Sequence, residues 1–386
     1  MQRISPFRTL DAFRGFAALW VVMDHSCDRF VAGNDPRFAH VPLYAFSLQG
    51  QLGVFLFFVI SGYCIVAAAH GALYSGKTVG RYAFERCRRI FPPYWCVLIL
   101  GTLATLLLLV AESHHWIPKI NHPQAFETSP IYWLANLTLT QSEFNTKFEN
   151  IVFWSLCYEI CFYAIVGIWL FVAKRIAKAR GIAAGQLALI LGLAFTTFAT
   201  MITLMLGRSI FPFDMWHEFA FGGLLFYLLE SKPGTVAGYS PRLRRIINGL
   251  VAATAVVAIA FVVLSQLGML RGIYPEHALR TAFCLGFCLL LALIRPYDEK
   301  IAASRWLHPL IWIGAFSYSL YLIHGVVLPF IDVACRKVGL DHDRYWIAFW
   351  IQVVVAVLCG KLFYMVVERH FVSTRQIKRL EEEHVA

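Results

Sequence analysis

The sequence predicts an all-α, polytopic membrane protein with about ten transmembrane helices and both termini in the cytoplasm. Of its 386 residues, 59% are hydrophobic and only 15% are charged, a balance unlike that of soluble domains. Apolar runs of about 20 residues, the length that spans a bilayer, recur along the whole chain. Basic residues gather in alternate connecting segments, and this pattern indicates the orientation of the runs.

The apolar runs follow one another without a boundary that suggests a second folded domain. Residues 1–372 are therefore predicted to form one integral-membrane domain, and residues 373–386 a short cytoplasmic tail. The predicted spans are Leu10–Val31, Leu48–Ala69, Phe91–Val110, Ile151–Val172, Gln186–Leu206, Ile210–Leu229, Ile247–Leu267, Ala278–Ile294, Leu310–Ile331 and Tyr345–Val367.

Basic clusters set the predicted orientation. They lie at 77–89, 174–180 and 232–245, directly after the second, fourth and sixth runs. Lysine and arginine in short loops mark the cytoplasmic side of a membrane protein. The net charge of +11 is thus explained by topology and by contact with membrane lipids, and no nucleic-acid partner is expected.

The first run carries Arg14 and His25. Eleven residues apart on a helix, they share one face and lie about 16 Å apart along its axis. Ionisable groups at membrane depth are costly to desolvate and often mark a functional pathway. Asp28 follows His25 by three residues, where its carboxylate could make the imidazole a general base. A structural histidine bonded to a neighbouring helix is an equally open interpretation.

Two arginines precede the third run. Arg86 and Arg89 are three residues apart, so their guanidinium groups share a helical face and can bind phosphate oxygens bidentately. At the cytoplasmic end of a helix, the phosphates of coenzyme A are the matching abundant anion. The alternative is that the cluster only anchors the helix to lipid headgroups.

A polar stripe is predicted along the fourth run. Ser155, Glu159 and Tyr163 recur every four residues, so they lie on one side of a helix. An intramembrane glutamate needs a partner, and His25 or an arginine is the natural candidate. The alternative is a polar clamp that holds the helices together.

The ninth run offers a second histidine, His324. It is predicted to be a second catalytic group or a hydrogen-bonding wall of an acceptor pocket. It ranks below His25, because Ser317 and Tyr318 offer it ordinary hydrogen-bond partners.

Several chemistries are disfavoured. The ten cysteines lie mostly inside the apolar runs, where they usually act as small apolar groups, so neither a metal nor a required disulfide is predicted. The sequence has no Walker phosphate loop, no dinucleotide glycine fingerprint and no nucleophile-elbow serine. His217-Glu218 lacks the second histidine of a zinc-protease helix.

In this order, these blocks resemble the integral-membrane acyltransferase family 3, which includes bacterial O-antigen and exopolysaccharide O-acetylases. The block Leu10–His25 resembles the first-helix signature, with arginine, ten residues and then histidine. The later matching blocks are Gly53–Tyr63, Arg86–Arg89 before Pro92-Pro93-Tyr94-Trp95, the Ser155/Glu159/Tyr163 stripe and Ser317–His324. Together the blocks cover essentially the whole chain.

The resemblance implies ten core helices, a cytoplasmic acyl-CoA donor and an acceptor hydroxyl reached from the outer side. It also implies that His25 is catalytic and that Arg86 and Arg89 bind the coenzyme. Two blocks depart from the family pattern. The first has Asp11-Ala12-Phe13 where a glycine often follows the aspartate, and the fourth has Glu159-Ile160 where paired acids are common.

The sequence therefore predicts a membrane-bound O-acyltransferase, most simply an O-acetyltransferase of the bacterial inner membrane. It would move an acyl group from cytoplasmic acyl-CoA to a hydroxyl of a cell-envelope glycan or its lipid-linked precursor, without a tightly bound cofactor. The assigned groups are His25 and Glu159 as catalytic residues, Arg14, Arg86 and Arg89 for the coenzyme, and Asp28, Ser155, Tyr163 and His324 as supporting or acceptor-pocket residues. The alternative function is a transporter that exports a glycan or an acylated intermediate through the same charged pathway.

Overall fold

The computed structural model describes residues 7–30, 41–117, 129–148, 150–230, 239–270, 275–340 and 345–372. Within these ranges the regular structure is helical, without a strand, which confirms the predicted all-α class. The predicted tail at 373–386 lies outside them. The helices are α1 (Thr9–Phe30), α2 (Pro42–Ser47), α3 (Leu52–Tyr74), α4 (Val79–Ser113), α5 (Pro130–Thr138), α6 (Trp154–Arg180), α7 (Ile182–Met205), α8 (Trp216–Glu230), α9 (Pro241–Gln266), α10 (Pro275–Ile294), α11 (Asp298–Ala302), α12 (His308–Ala315), α13 (Ser317–Lys337) and α14 (Tyr345–Val366).

Eight of the described helices are long and apolar enough to cross a membrane. They correspond to all of the predicted spans except the first and the sixth. The chain is therefore a multi-pass integral membrane protein, whereas the predicted count of ten is not confirmed. Helix α1 has 22 residues, which is sufficient length, but Asp11, Arg14 and Asp24 make it more polar than the other spans.

Helix α8 is too short to span the bilayer by itself. Its 15 residues extend about 22 Å, against a hydrocarbon core of about 30 Å. The predicted start at Ile210 is wrong, because Pro212 disfavours a helical conformation of the residue before it and the helix begins at Trp216. All residues of α8 except Leu228 are buried, since it packs against α7, α9 and α10.

The predicted ninth span, Leu310–Ile331, is two helices rather than one. Helix α12 ends at Ala315 and α13 begins at Ser317, with Phe316 outside the helical conformation between them. The Ser317 hydroxyl donates to the carbonyl oxygen of Gly314 at 3.0 Å, so it satisfies an acceptor at the end of α12. The break places the serine-rich block at the first turn of α13.

Helix α4 starts three turns earlier than the predicted third span. It runs over 35 residues from Val79 to Ser113 and contains Pro92 and Pro93. Arg86 and Arg89 consequently lie inside a continuous helix, as their spacing predicted.

The chain folds into two compact units whose segments alternate along the sequence. Unit 1 comprises Met1–Leu10, Phe55–Arg86 and Tyr158–Ile301. Its core includes the packed helices α7 to α10 and a close crossing of α3 with α8. At that crossing a Cβ on Gly62 would lie 1.8 Å from the Phe219 carbonyl oxygen, and one on Gly222 would lie 1.9 Å from that of Val59.

Unit 2 comprises Asp11–Val54, Cys87–Cys157 and Ala302–Ala386. Helices α13 and α14 pack along each other, and the backbones of α1 and α12 meet where these helices cross. A Cβ on Gly15 would lie 1.9 Å from the Leu310 carbonyl oxygen, and one on Gly314 would lie 1.8 Å from that of Asp11. Small residues permit such close helix approach in membranes. A short 3-10 turn at Glu368–His370, the C-terminal turn, follows α14.

Candidate active site

The central feature of unit 2 is a pair of histidines. His25 on α1 and His324 on α13 stack with ring centroids 5.3 Å apart and an angle of 29° between the ring planes. His324 is fully buried, whereas His25 is partly exposed. The structure therefore brings together the two histidines that the sequence assigned to separate motifs.

The hydrogen bond of His324 defines its neutral tautomer. Its Nδ1 lies 3.1 Å from the Leu320 carbonyl oxygen, and a carbonyl oxygen can only accept a hydrogen bond. The proton of the neutral ring is therefore on Nδ1, which leaves a lone pair on Nε2. That nitrogen can accept a proton or a hydrogen bond from a ligand.

Tyr321 extends this polar group toward the start of α6. Its ring lies 5.8 Å from that of His324, and its hydroxyl donates to the Val152 carbonyl oxygen at 2.8 Å. The Ser155 hydroxyl lies 2.7 Å from the Tyr321 oxygen. Because the tyrosine has one proton and Val152 accepts it, Ser155 is the donor in this contact. Ser155, predicted as a supporting residue, is thus connected to His324 through Tyr321.

Arg14 lies on α1 next to the crossing with α12. Its Nη1 forms an ion pair of 3.3 Å with Asp11, one turn earlier. Both side chains are largely buried, with 16% and 13% exposed. Arg14 is therefore a desolvated cation near the start of α1, and its assignment to the coenzyme stays a prediction.

The arginines of α4 differ in exposure. Arg81 and Arg88 are exposed, while Arg86 and Arg89 are only partly so. The Nε of Arg86 is buried and has no hydrogen-bond partner in the part of the chain that the structure describes. A buried guanidinium donor of this kind favours an anionic ligand over a solvated surface role.

Glu159 belongs to unit 1, where hydroxyl groups surround its carboxylate. Ser61 donates to Oε1 at 2.6 Å, and the Tyr163 hydroxyl donates to the same oxygen. The predicted stripe therefore includes a direct contact between Glu159 and Tyr163. The pairing of Glu159 with His25 stays a prediction, as does the catalytic role of Glu159. The Asp28 side chain, its predicted rival as partner of His25, lies outside the described residues.

Sequence reasoning missed two charged residues of unit 2. Glu368 is buried and accepts two hydrogen bonds from Ser319. Lys361 on α14 lies 5.3–5.4 Å from the ring centroids of Trp312, Phe316 and Tyr364, so its amino group is surrounded by aromatic rings. Each is a charged residue inside or directly after an apolar run, and this position in the sequence could have identified both.

These features define a class of protein: a multi-pass helical membrane protein with a stacked imidazole pair, one member of which is fully buried, and with partly buried arginines. The sequence model of an acyltransferase domain matches residues 7–365. The chain belongs to this acyltransferase family, which confirms the resemblance drawn from its motifs.

Two curated relatives extend this assignment. Over 373 residues, 93% of this chain, the sequence is 22% identical to "Putative peptidoglycan O-acetyltransferase YrhL" of Bacillus subtilis strain 168. Over 171 residues, 42% of this chain and 82% of the relative, it is 29% identical to "Protein 2 in picA locus" of Rhizobium radiobacter. The chain spans about half, 54%, of the length of the Bacillus relative. No solved structure matches the chain.

Proposed function

We propose that this acyltransferase is an O-acetyltransferase that uses cytoplasmic acetyl-CoA to acetylate a hydroxyl of a cell-envelope glycan or its lipid-linked precursor in the bacterial inner membrane. The observation that carries the proposal is the stacked pair of His25 and His324 inside a member of an acyltransferase family. Acyl transfer to an alcohol needs a group that removes the hydroxyl proton, and imidazole has a suitable basicity near neutral pH.

Binding of the acetyl-CoA donor is assigned to the arginines near the predicted cytoplasmic ends of α1 and α4. Arg86 and Arg89 would bind the coenzyme phosphates, with Arg14 assisting, because guanidinium groups match phosphate oxygens in charge and geometry. The buried Nε of Arg86, which has no partner among the described residues, supports this assignment. The thioester end of the coenzyme would extend into the membrane domain.

In the transfer step, the acceptor oxygen attacks the thioester carbonyl carbon while His25 takes the hydroxyl proton. A carbon–oxygen bond forms, the carbon–sulfur bond breaks, and the proton passes to the departing thiolate of the coenzyme. General-base help is worth about 10²- to 10⁴-fold in rate. Exclusion of water from the bundle would protect the thioester from hydrolysis. A covalent acyl-histidine intermediate is a variant of the same chemistry.

The acceptor class rests on the Bacillus relative, whose name describes O-acetylation of peptidoglycan. Its match to 93% of this chain supports an envelope glycan as the acceptor here. An exporter of glycans has no need for a thioester donor, so dependence on acetyl-CoA separates the two functions.

The test is transfer of radiolabelled acetyl groups from acetyl-CoA to envelope glycans in membranes that contain the wild-type chain or His25→Gln. His70→Gln is the matched control, because His70 is a buried histidine of unit 1 without an assigned role. We expect His25→Gln to lower the rate by about 10²-fold or more and His70→Gln to retain it. Undiminished label with His25→Gln at equal protein level would contradict the assignment of the base.

A further inference from the structure

Glu368 is a buried carboxylate that the proposed mechanism does not use. Only 4% of the residue is exposed. Ser319 donates to its Oε2 from the backbone N–H at 3.1 Å and also from the hydroxyl group. Both donors are neutral. Burial of a carboxylate is costly unless a cation compensates its charge. Cationic side chains near the C-terminal turn are therefore the candidates for this compensation.

Two hydrogen bonds dock the Arg89 segment of α4 beside this carboxylate. Arg88 donates to the backbone oxygen of His370, in the C-terminal turn itself, at 3.2 Å. The Tyr318 hydroxyl donates to the Ile90 carbonyl oxygen at 2.9 Å. Of the two chain neighbours of Arg89, Arg88 is therefore bonded to the C-terminal turn and Ile90 to the first turn of α13.

Arg14 approaches the same region from α1. It directly precedes Gly15, where the backbone of α1 meets that of α12, and α12 ends immediately before α13. Burial disfavours the charge of the Glu368 carboxylate, and the positive charges of Arg89 and Arg14 offset part of this effect. Segments of α1, α4, α13 and the C-terminal turn thus approach one buried carboxylate.

We propose that Glu368 is a positioning residue whose negative charge orients the guanidinium groups of Arg14 and Arg89 for the phosphates of the acyl-CoA donor. This inference rests on the proposed function, because that function assigns both arginines to the donor. A carboxylate near both arginines attracts their guanidinium groups and so favours their orientation before the ligand arrives. Such preorganisation lowers the free-energy cost of binding.

The link to Ser319 adds a structural consequence. Ser319 lies at the start of α13, and His324 lies five residues further along the same helix. Glu368 therefore connects the C-terminal turn to the helix that carries one member of the histidine pair. Its charge should affect donor binding, whereas its hydrogen bonds should affect the placement of α13.

Glu368→Gln separates these two roles, since the amide oxygen can still accept from Ser319 but carries no charge. Purified wild-type and variant proteins in lipid nanodiscs are compared for equilibrium binding of radiolabelled acetyl-CoA, for KM and kcat, and for thermal unfolding. Asp332→Asn is the matched control. Asp332 is a buried carboxylate on α13, paired locally with Arg336 at 2.9 Å.

We expect Glu368→Gln to raise the Kd and KM for acetyl-CoA by about 10- to 100-fold, as for other displaced positioning groups, with kcat and thermal stability retained. Glu368→Asp, which keeps the charge, should recover part of the affinity, and Asp332→Asn should bind like wild type. Unchanged or tighter binding by Glu368→Gln would overturn the inference, as would a loss of stability without a change in Kd. Absence of acetyl transfer by wild type that still binds acetyl-CoA would instead refute the proposed function.

Discussion

At the residue scale, the contact between His25 and His324 matters most for chemistry. The Leu320 carbonyl oxygen holds the proton of neutral His324 on Nδ1, which leaves Nε2 as an acceptor. The ring stacked on His25 is therefore fixed in orientation by its own helix. If His25 removes the acceptor proton, a cation forms beside this neighbouring ring, and charge repulsion is smaller when His324 is neutral.

This arrangement predicts the behaviour of His324→Gln. Glutamine retains a hydrogen-bonding side chain but cannot stack or titrate as imidazole does. We expect kcat for acetyl transfer to fall by about 10²-fold, the lower range of acid–base contributions, with little change in the KM for acetyl-CoA. Steady-state kinetics in nanodiscs measures both constants.

Tyr321→Phe is the companion variant. It keeps the aromatic ring beside His324 but removes the hydroxyl between Ser155 and the Val152 carbonyl oxygen. We expect a loss of stability of about 1 kcal/mol and a smaller effect on kcat than that of His324→Gln. Equal effects on kcat would show that the hydrogen bonds of the Tyr321 hydroxyl, rather than the His324 imidazole, determine the rate.

At the scale of the element, the arginines of α4 differ in exposure to solvent. Spacing alone places Arg86 and Arg89 on one face, and the structure leaves both less exposed than Arg81 and Arg88. A helix that only anchored to headgroups would expose all its cations alike. The asymmetry therefore favours the coenzyme assignment.

The corresponding test combines Arg86→Gln with Arg89→Gln. Loss of a charge-assisted hydrogen bond costs about 1.5–3 kcal/mol, so the KM for acetyl-CoA should rise by at least about tenfold. Arg81→Gln is the control on the same helix, because Arg81 is exposed and paired with Glu85 at 2.9 Å. A KM that changes equally in both variants would support a general surface-charge effect instead.

At the scale of the whole molecule, the basic clusters predict that both termini are cytoplasmic. A green fluorescent protein fused to the C-terminus should therefore fluoresce, and alkaline phosphatase fused directly after Ser113 should be active outside the cytoplasm. Ser113 ends α4, so this fusion reports the side on which that helix emerges. The reverse pattern would contradict the predicted orientation and move Arg86 and Arg89 away from the cytoplasmic coenzyme.

Much of the fold was predictable because it depends on local properties. Apolar runs gave eight of the spans, and helical spacing placed Glu159 beside Tyr163, which the structure shows in contact. The break at Phe316 and the burial of the short helix α8 were not predictable. Both depend on which neighbours pack against a segment, and hydropathy does not contain that information.

The candidate site likewise has features that the sequence predicts and features that only the tertiary structure shows. The sequence by itself determined the membrane class, the acyltransferase family and the candidate histidines and arginines, because composition, helical period and ordered motifs are local features of the chain. Only the tertiary structure decided that His324 stacks on His25 and that Ser319 binds Glu368, since these partners are distant in sequence. Their contact depends on the close helix crossing at Gly15 and on the packing of α13 against α14, which no local pattern specifies.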